Sequence, residues 1–332
     1  MFSMMSASRL ESLHMTQDPT TGLRAIIAIH NTQLGPALGG CRFLTYPDEQ
    51  AALRDALRLA QGMSYKAALA GLAQGGGKAV IMRPPHVNDR AALFEAFGRF
   101  IETLKGRYIT AMDSGTTSAD MDCIAQYTQH VTSTTSAGDP SPHTAMGVYS
   151  GIRATAMARF GCDELEGIRV AIQGLGHVGY ALAAHLHAAG AELIVSDIDQ
   201  GRVQLAVEEF GAKAMPTDEL LSTPCEILSP CGLGGVLNTE SVTRLRCSAI
   251  AGAANNQLAN PEISDALQAR GILYAPDYVI NAGGLINVAN ELEGYNQDRA
   301  TQQVASIYDI CTDIFRIAES EGITTQKAAN TL

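Results

Sequence analysis

Short apolar runs alternate along this chain with stretches in which apolar residues recur at helical intervals. Arg24 to Asn31 (R-A-I-I-A-I-H-N) is too short and too rich in isoleucine for a helix and predicts a strand, followed by a turn-rich segment, Gly35-Pro36-Ala37-Leu38-Gly39-Gly40. Asp48 to Lys66, with Leu53, Leu57, Leu59 and Met63 at helical spacing, predicts an amphipathic helix. A second glycine cluster, Gly75-Gly76-Gly77, leads into an apolar strand, Ala79 to Met82. Ala91 to Leu104 reads as helix, Tyr108 to Ala111 as a strand ending at Asp113-Ser114-Gly115, and Ala119 to Tyr127 as helix again. Thr132 to His143 nearly lacks large apolar residues and carries two prolines, as a linker would. Beyond it a helix from Thr144 to Phe160 precedes strands at Arg169 to Gln173 and Glu192 to Ser196 around a helix from Val178 to Ala189. Further short strands are expected at Glu226 to Leu228, Ala249 to Ala251 and Ile272 to Tyr274, then a terminal helix from Gln302 to Glu319. The pattern predicts an α/β protein: an N-terminal α/β domain over 1–134 and a C-terminal doubly wound parallel sheet of Rossmann type over 142–311. The last stretch, 312–332, could close back over the first domain.

The chain has 332 residues, a length suited to two domains, and 46% hydrophobic against 17% charged residues excludes a disordered chain. A formal charge of −11 argues against nucleic acid as a partner. No apolar run reaches the roughly 18 residues of a membrane helix, and the first residues lack the features of a signal peptide, so a cytoplasmic protein is expected. Seven cysteines at wide spacing, with no C-x-x-C pair, suggest reduced thiols. The scattered histidines give no metal site; the close pair His185 and His187 would point to different helix faces.

Two glycine motifs carry the candidate chemistry. Gly174-Leu175-Gly176-His177-Val178-Gly179 lies between a predicted strand and a predicted helix, and the next strand ends at Asp197, 23 residues beyond Gly174. That is the register of a dinucleotide fold, in which glycines admit the pyrophosphate to the helix N-terminus and the carboxylate takes the ribose hydroxyls. His177 reads as a solvent-facing residue of the turn, Asp199 as a surface carboxylate, and Arg202 as the residue that could attract a 2′-phosphate. Gly75-Gly76-Gly77-Lys78 is no P-loop, because Leu72 and Ala79 stand where glycine and Ser or Thr are required. A lysine against bare backbone could serve as a base or proton relay, although a surface lysine capping a turn is the commoner case. Lys66, Asp113, Asn255, Asn256 and Asn281 are further polar candidates, each more often a solvated charge or a loop hydrogen-bonding group.

Six ordered blocks together resemble the amino-acid dehydrogenases acting on glutamate, leucine, phenylalanine and valine. They are L-G-P-A-L-G-G-C-R (34–42), G-M-S-Y-K-A-A-L-A-G-L-A-Q-G-G-G-K (62–78), T-A-M-D-S-G-T-T-S-A-D-M-D (110–122), the G-L-G-H-V-G turn, A-G-A-A-N-N-Q-L (251–258) and D-Y-V-I-N-A-G-G-L-I-N-V-A-N-E-L (277–292). The resemblance implies NAD-dependent, reversible oxidative deamination of an L-amino acid to its 2-oxo acid and ammonia, in a homo-oligomer, dimer or higher. It implies that 1–134 binds substrate and dimerises and that 142–311 binds NAD. It assigns Lys66, with Gly40 and Asn256, to the substrate carboxylate, Lys78 to water attack on the imine, and Asp113 to proton shuttling. Cofactor contacts fall on Gly174, Gly176, His177, Val178, Gly179, Asp197 and Asn281. Leu38 replaces the lysine of the glutamate enzymes, and with Met63, Ala111, Leu285 and Val288 it favours leucine or another branched-chain substrate, the members acting on leucine being nearest. An aromatic substrate is the alternative, and a non-catalytic NAD-binding regulator or a hydroxy-acid dehydrogenase would be the rival classes. The resemblance also implies domain closure about a hinge at Gly138-Asp139-Pro140.

Overall fold

The computed structural model describes residues 2–136, 139–292 and 294–332. The chain forms two compact units, Met1–Asp139 with Val288–Tyr295, and Pro140–Asn287 with Asn296–Leu332. Gly138, in the expected hinge, lies outside the described residues.

Unit 1 contains α1 (Phe2–Ala7), β1 (Ser12–Asp18), β2 (Leu23–Asn31), β3 (Ala37–Leu44), α2 (Glu49–Leu69), β4 (Gly75–Met82), α3 (Arg90–Glu102), β5 (Tyr108–Met112) and α4 (Ser118–Ala125). The sheet runs β1-β2-β4-β3-β5, antiparallel from β1 to β4 and parallel from β4 to β5. The isoleucine run of β2 is continuous because both of its faces are covered. Ile26 and Ala28, with Val80, pack against Ala52, Leu53, Ala56, Leu57 and Ala60 of α2. Ala25, Ile27 and Ile29, with Ala79 and Ile81, pack against Leu93, Phe94 and Phe97 of α3 and Met121 and Ile124 of α4. Alternate residues of one strand therefore hold helices on opposite sides of the sheet.

Unit 2 contains α5 (Ser141–Phe160), β6 (Arg169–Gln173), α6 (His177–Ala188), β7 (Glu192–Ser196), α7 (Gln200–Phe210), β8 (Lys213–Ala214), β9 (Cys225–Pro230), α8 (Thr239–Arg244), β10 (Cys247–Ile250), α9 (Glu262–Ala269), β11 (Leu273–Tyr274), α10 (Asp277–Ile280), α12 (Gln297–Ala305), α13 (Ile307–Glu321) and α14 (Thr325–Thr331); α11 (Gly283–Leu292) begins in it. All strands are parallel, in the order β11-β10-β9-β6-β7-β8. The order reverses between β6 and β9, which is the switch point of a doubly wound sheet and the usual ligand crevice.

The structure differs from the sequence expectations at several places. The supposed turn over 35–40 enters β3, which begins at Ala37. Helix α5 starts three residues before Thr144, with a proline in its first turn, where the missing N–H costs nothing. The terminal helix expected over 302–319 divides at Ser306 into α12 and α13. Segment 312–332 groups with unit 2: Thr325 Oγ1 donates to the Tyr274 carbonyl at 2.5 Å, Tyr278 OH donates to Asn330 at 2.7 Å, and Lys327 pairs with Asp265 at 2.7 Å. Val288–Tyr295, in turn, group with unit 1, where Glu291 accepts hydrogen bonds from Thr132 Oγ1 and the Ser133 amide. Among the described residues no helix is long and apolar enough to cross a membrane.

Candidate active site

In unit 1 the strand register builds one row of candidates. Leu38 pairs with Gly76 and Arg42 with Val80, which sets Gly40 level with Lys78; on the other side Gly40 pairs with Ala111. Asp113 follows two residues beyond Ala111, just after β5. A side chain on Gly40 would lie 2.7 Å from Asp113 Cβ, so the glycine is what lets the aspartate approach the strand. Gly76 does the same for α2, since a Cβ there would come within 2.1 Å of the Ser64 amide nitrogen. The glycines before Lys78 are thus points of close packing inside β4 and form no phosphate loop.

Lys78, only 5% exposed, places Nζ 2.5 Å from Asp113 Oδ2. The same oxygen accepts from Arg42 Nε at 2.9 Å. Burial favours the neutral acid at Asp113, but Lys78 and Arg42 outweigh it and hold the carboxyl well below the usual carboxylate range. Arg42 reaches back through Nη1 to Asp55 Oδ2 at 3.1 Å, and Tyr46 OH donates to that oxygen at 2.7 Å. Burial, with Asp55 beside it, pushes the Tyr46 hydroxyl above the ordinary tyrosine value. The loop carrying Asp113 is tied down: its amide donates to Thr116 Oγ1 at 2.9 Å, and a capping box of Thr117 and Asp120 starts α4. Arg90 grips Asp120 with Nε and Nη2, at 2.7 and 2.8 Å.

The remaining unit 1 candidates are more dispersed. Met63 and Lys66 stand half-buried on the C-terminal half of α2. Leu38 and Val288 are buried, at 0% and 6% exposure. Leu285 is half-buried and falls in unit 2, the other unit from Leu38, Met63 and Val288. Arg42, Asp55 and Tyr46 were missed in the sequence. The signal existed, since Leu38, Gly40 and Arg42 share one strand face once 37–44 is read as a strand.

In unit 2 the Gly174–Gly179 turn occupies the C-terminal end of β6. Gly174 has φ +97°, which side chains rarely adopt, and a Cβ on Gly179 would lie 2.0 Å from the Gly174 carbonyl oxygen. Above Gly176 the nearest neighbour to such a Cβ is Arg202 Nη1 at 3.9 Å, so the middle glycine faces open space. That is the division of labour a pyrophosphate site requires: one glycine for the turn, one for helix packing, one left bare for the ligand. His177 is exposed and Val178 half-buried in the first turn of α6. Asp197 Oδ2 accepts from the Leu175 amide at 2.6 Å and Oδ1 from the Asp199 amide at 2.8 Å, which fixes the carboxylate beside the turn. Asp199 caps α7 through the Gly201 amide and pairs with Arg202 at 3.4 Å.

The loop 251–258 is held from within. Gln257 Nε2 donates to the carbonyls of Gly252 and Ala254, at 2.7 and 3.1 Å, and its amide donates to Asp277 Oδ2 at 2.7 Å. Asn256 takes a left-handed φ of 53°, tolerable for asparagine. Asn281 Nδ2 donates to the Ala253 carbonyl at 3.0 Å and Asn255 Oδ1 at 2.9 Å, which orients the amide and leaves a buried Oδ1 without a donor. A buried acceptor of that kind fits a ligand that brings an N–H. The residues present therefore fit a dinucleotide: the bare Gly176, the fixed Asp197 and the waiting Asn281 acceptor.

A dinucleotide turn at the switch point of one unit and a buried lysine–aspartate pair in the other define the chain as an oxidoreductase of the dehydrogenase class. Comparison with known proteins agrees. Residues 9–130 match the model described as Glu/Leu/Phe/Val dehydrogenase, dimerisation domain, and 195–332 match Glutamate/Leucine/Phenylalanine/Valine dehydrogenase. The leucine dehydrogenase of Geobacillus stearothermophilus is 52% identical over 334 residues, 99% of this chain and 91% of that one, and the leucine dehydrogenase of Bacillus subtilis is 51% identical over 336 residues, 100% and 92%. The crystal structure of L-tryptophan dehydrogenase from Nostoc punctiforme superposes with a TM-score of 0.88 at 45% identity, covering 100% of this chain and 96% of that one. The chain belongs to the Glu/Leu/Phe/Val dehydrogenase family, and it is an amino-acid dehydrogenase.

Proposed function

We propose that the protein catalyses the reversible, NAD-dependent oxidative deamination of leucine or another branched-chain L-amino acid to its 2-oxo acid and ammonia. The observation that carries this reading is the buried contact between Lys78 and Asp113, 2.5 Å long, on the unit whose sequence matches the family's dimerisation domain. When bound, NAD supplies the acceptor for the hydride that leaves the α-carbon. Gly174, Gly176, His177, Val178 and Gly179 would hold its pyrophosphate, Asp197 its ribose hydroxyls, and Asn281 would present Oδ1 as an acceptor.

Loss of hydride from the α-carbon leaves an imine on the substrate. Lys78 assists the attack of water on the imine carbon, and Asp113, in contact with it through Oδ2, shuttles the proton that the water gives up to the departing nitrogen. Collapse of the resulting amino alcohol breaks the C–N bond and releases ammonia as the carbonyl forms. Lys66 pairs with the substrate carboxylate, assisted by Gly40 and Asn256. Leu38, Met63, Ala111, Leu285 and Val288 offer no partner for a charged side chain, so glutamate pays an unmatched desolvation of several kcal/mol while an aliphatic side chain gains about 1.5 to 3 kcal/mol. Unit 1 supplies the association surface of a homo-oligomer, dimer or higher, and the enzyme works in the cytoplasm.

The test is NADH absorbance with NAD and a panel of glutamate, valine, leucine, isoleucine, phenylalanine and tryptophan. Leucine or a close relative should exceed glutamate in kcat/KM by at least ~10³. Glutamate in the lead refutes the substrate reading, and tryptophan or phenylalanine in the lead establishes the aromatic alternative.

A further inference from the structure

We infer that His30 is a positioning residue of the substrate site: through Ser64 it sets where Lys66 stands relative to Lys78. The inference rests on the amino-acid dehydrogenase reading above and adds to it a residue that neither the sequence motifs nor the relatives' names single out. Lys66 and Lys78 belong to different elements, α2 and β4, yet each lies two residues beyond one point of contact. That point is Ser64 against Gly76, where a Cβ on the glycine would collide with the serine amide nitrogen and hydroxyl oxygen. The close approach fixes how near helix and strand lie. It does not fix how far the helix slides or turns over a glycine that offers no side chain to grip. A directional bond can do that, and Ser64 makes one: its Oγ lies 2.8 Å from His30 Nδ1.

The backbone of β2 is shaped to deliver the ring there. By alternation His30 follows Ile26 and Ala28, which pack against α2. Ile29 pairs with Gly77 and Asn31 with Gly76, so His30 is the extra residue of a β-bulge, a device that re-aims a side chain. Gly75 accommodates the bulge, since a Cβ on it would collide with the Asn31 carbonyl oxygen. The imidazole also meets the Tyr65 ring edge-on, centroids 6.3 Å apart, and so touches both residues that immediately precede Lys66. The bond from Gln61 Nε2 to Tyr65 OH, 3.3 Å, is made within the helix and gives no such reference to the sheet.

The spacing matters because one substrate spans the two lysines. Lys66 pairs with the carboxylate and Lys78 assists at the α-carbon, and a single carbon–carbon bond joins those groups, so the two nitrogens must be placed together. Lys66 holds the carboxylate alike before and during the reaction, so a loosened Lys66 weakens binding and leaves the chemical step nearly as it was. The apolar contacts of Ala52, Leu53, Ala56, Leu57 and Ala60 keep the rest of α2 on the sheet without His30.

The experiment measures leucine oxidation by the full-length enzyme, inhibition by isocaproate, which has the carbon skeleton of leucine without the amino group, and NADH binding by fluorescence. In His30→Ala the KM for leucine and the Ki of isocaproate should both rise about fivefold, the effect of one lost hydrogen bond, with kcat within about threefold and NADH affinity within about twofold of wild type. His30→Asn, whose amide falls where Nδ1 lies, should bring both constants back to within about twofold of wild type. Ser64→Ala should reproduce His30→Ala, and the double variant should be no worse than either one. A folded His30→Ala with wild-type KM and Ki overturns the inference, as does a fall in kcat and Tm with KM and Ki unchanged, or a double variant in which the two losses multiply. If His30→Ala cannot be purified, wild-type KM and Ki in Ser64→Ala overturn it instead. A wild-type enzyme that reduces no NAD with any amino acid refutes the dehydrogenase reading itself, and this is seen before any variant is made.

Discussion

Removing either end of the Lys78–Asp113 contact should abolish turnover, yet the two losses should differ in what they do to the fold. Asp113→Asn takes a carboxylate from between two cations. Arg42 keeps Asp55, but Lys78, 5% exposed, is left as a buried ammonium with its one described ion-pair partner gone. Breaking a buried pair from one side costs about 3 to 5 kcal/mol, and the lower end applies here because Arg42 stays satisfied. Lys78→Met is milder: Asp113 retains Arg42 at 2.9 Å, and the methionine occupies the volume of the lysine stem, so about 1 kcal/mol is expected. At roughly 2 to 4 °C per kcal/mol, Asp113→Asn should melt about 6 to 12 °C below wild type and Lys78→Met about 2 to 4 °C below. Thermal unfolding by circular dichroism at neutral pH, without cofactor, measures both, and activity on the same samples should be down ~10² to 10⁴ in each. A Lys78→Met that melts as low as Asp113→Asn would refute the claim that Arg42 is a second countercharge for Asp113.

Two further outcomes can be measured on the same proteins. The folded-state pKa of Asp113 lies well below its ordinary 3.8, so its contribution is present above that value and is lost as pH falls below it toward the folded-state pKa; the Tm gap between wild type and Asp113→Asn should therefore shrink as pH falls below about 4, and a constant gap contradicts the assignment. Asp197 takes two backbone amides and has lone pairs left for ribose hydroxyls, while Arg202 is engaged by Asp199; wild type should favour NAD over NADP, and Asp197→Ala should raise the KM for NAD roughly 10- to 100-fold and narrow the preference, whereas equal turnover with NADP in wild type would show that Arg202 accepts the 2′-phosphate.

Much of the fold was legible because its central strands are covered on both faces and so read as unbroken apolar runs. Arg169–Gln173 and Glu192–Ser196 are bounded in the structure as the sequence suggested. β1 escaped notice because S-L-H-M-T-Q-D has neither a continuous apolar run nor a clean alternation, its residues being half-buried or exposed throughout. The terminal segment was ambiguous for another reason. An amphipathic helix shows that it has a partner without showing which; here α13 packs against α5 and α10 of unit 2, and Thr325 of α14 bonds the Tyr274 carbonyl, 51 residues away.

The misreading of 35–40 has the same root as the omission of Arg42. Glycine serves two physical ends in this chain, and the one-letter code does not separate them. At Gly174 it supplies a left-handed backbone, and the flanking strand, helix and acid announce a turn. At Gly40 and Gly76 it supplies only the absence of a Cβ, so that Asp113 and Ser64 can press against the strand. Read as a turn, 35–40 leaves Arg42 an unremarkable charge at the start of something else. Read as a strand, it puts Gly40 and Arg42 side by side on one face, and a glycine that admits an aspartate next to an arginine that pairs with it becomes a single feature. The partner itself, 71 residues away, is visible only in the folded chain. Pairings of that range are where a sequence reading of this site stops: Lys78 and Asp113 can each be suspected as chemistry, but taken singly each resembles a solvated charge, and their buried contact, made from β4 across β3 to the end of β5, is what separates them from the rest.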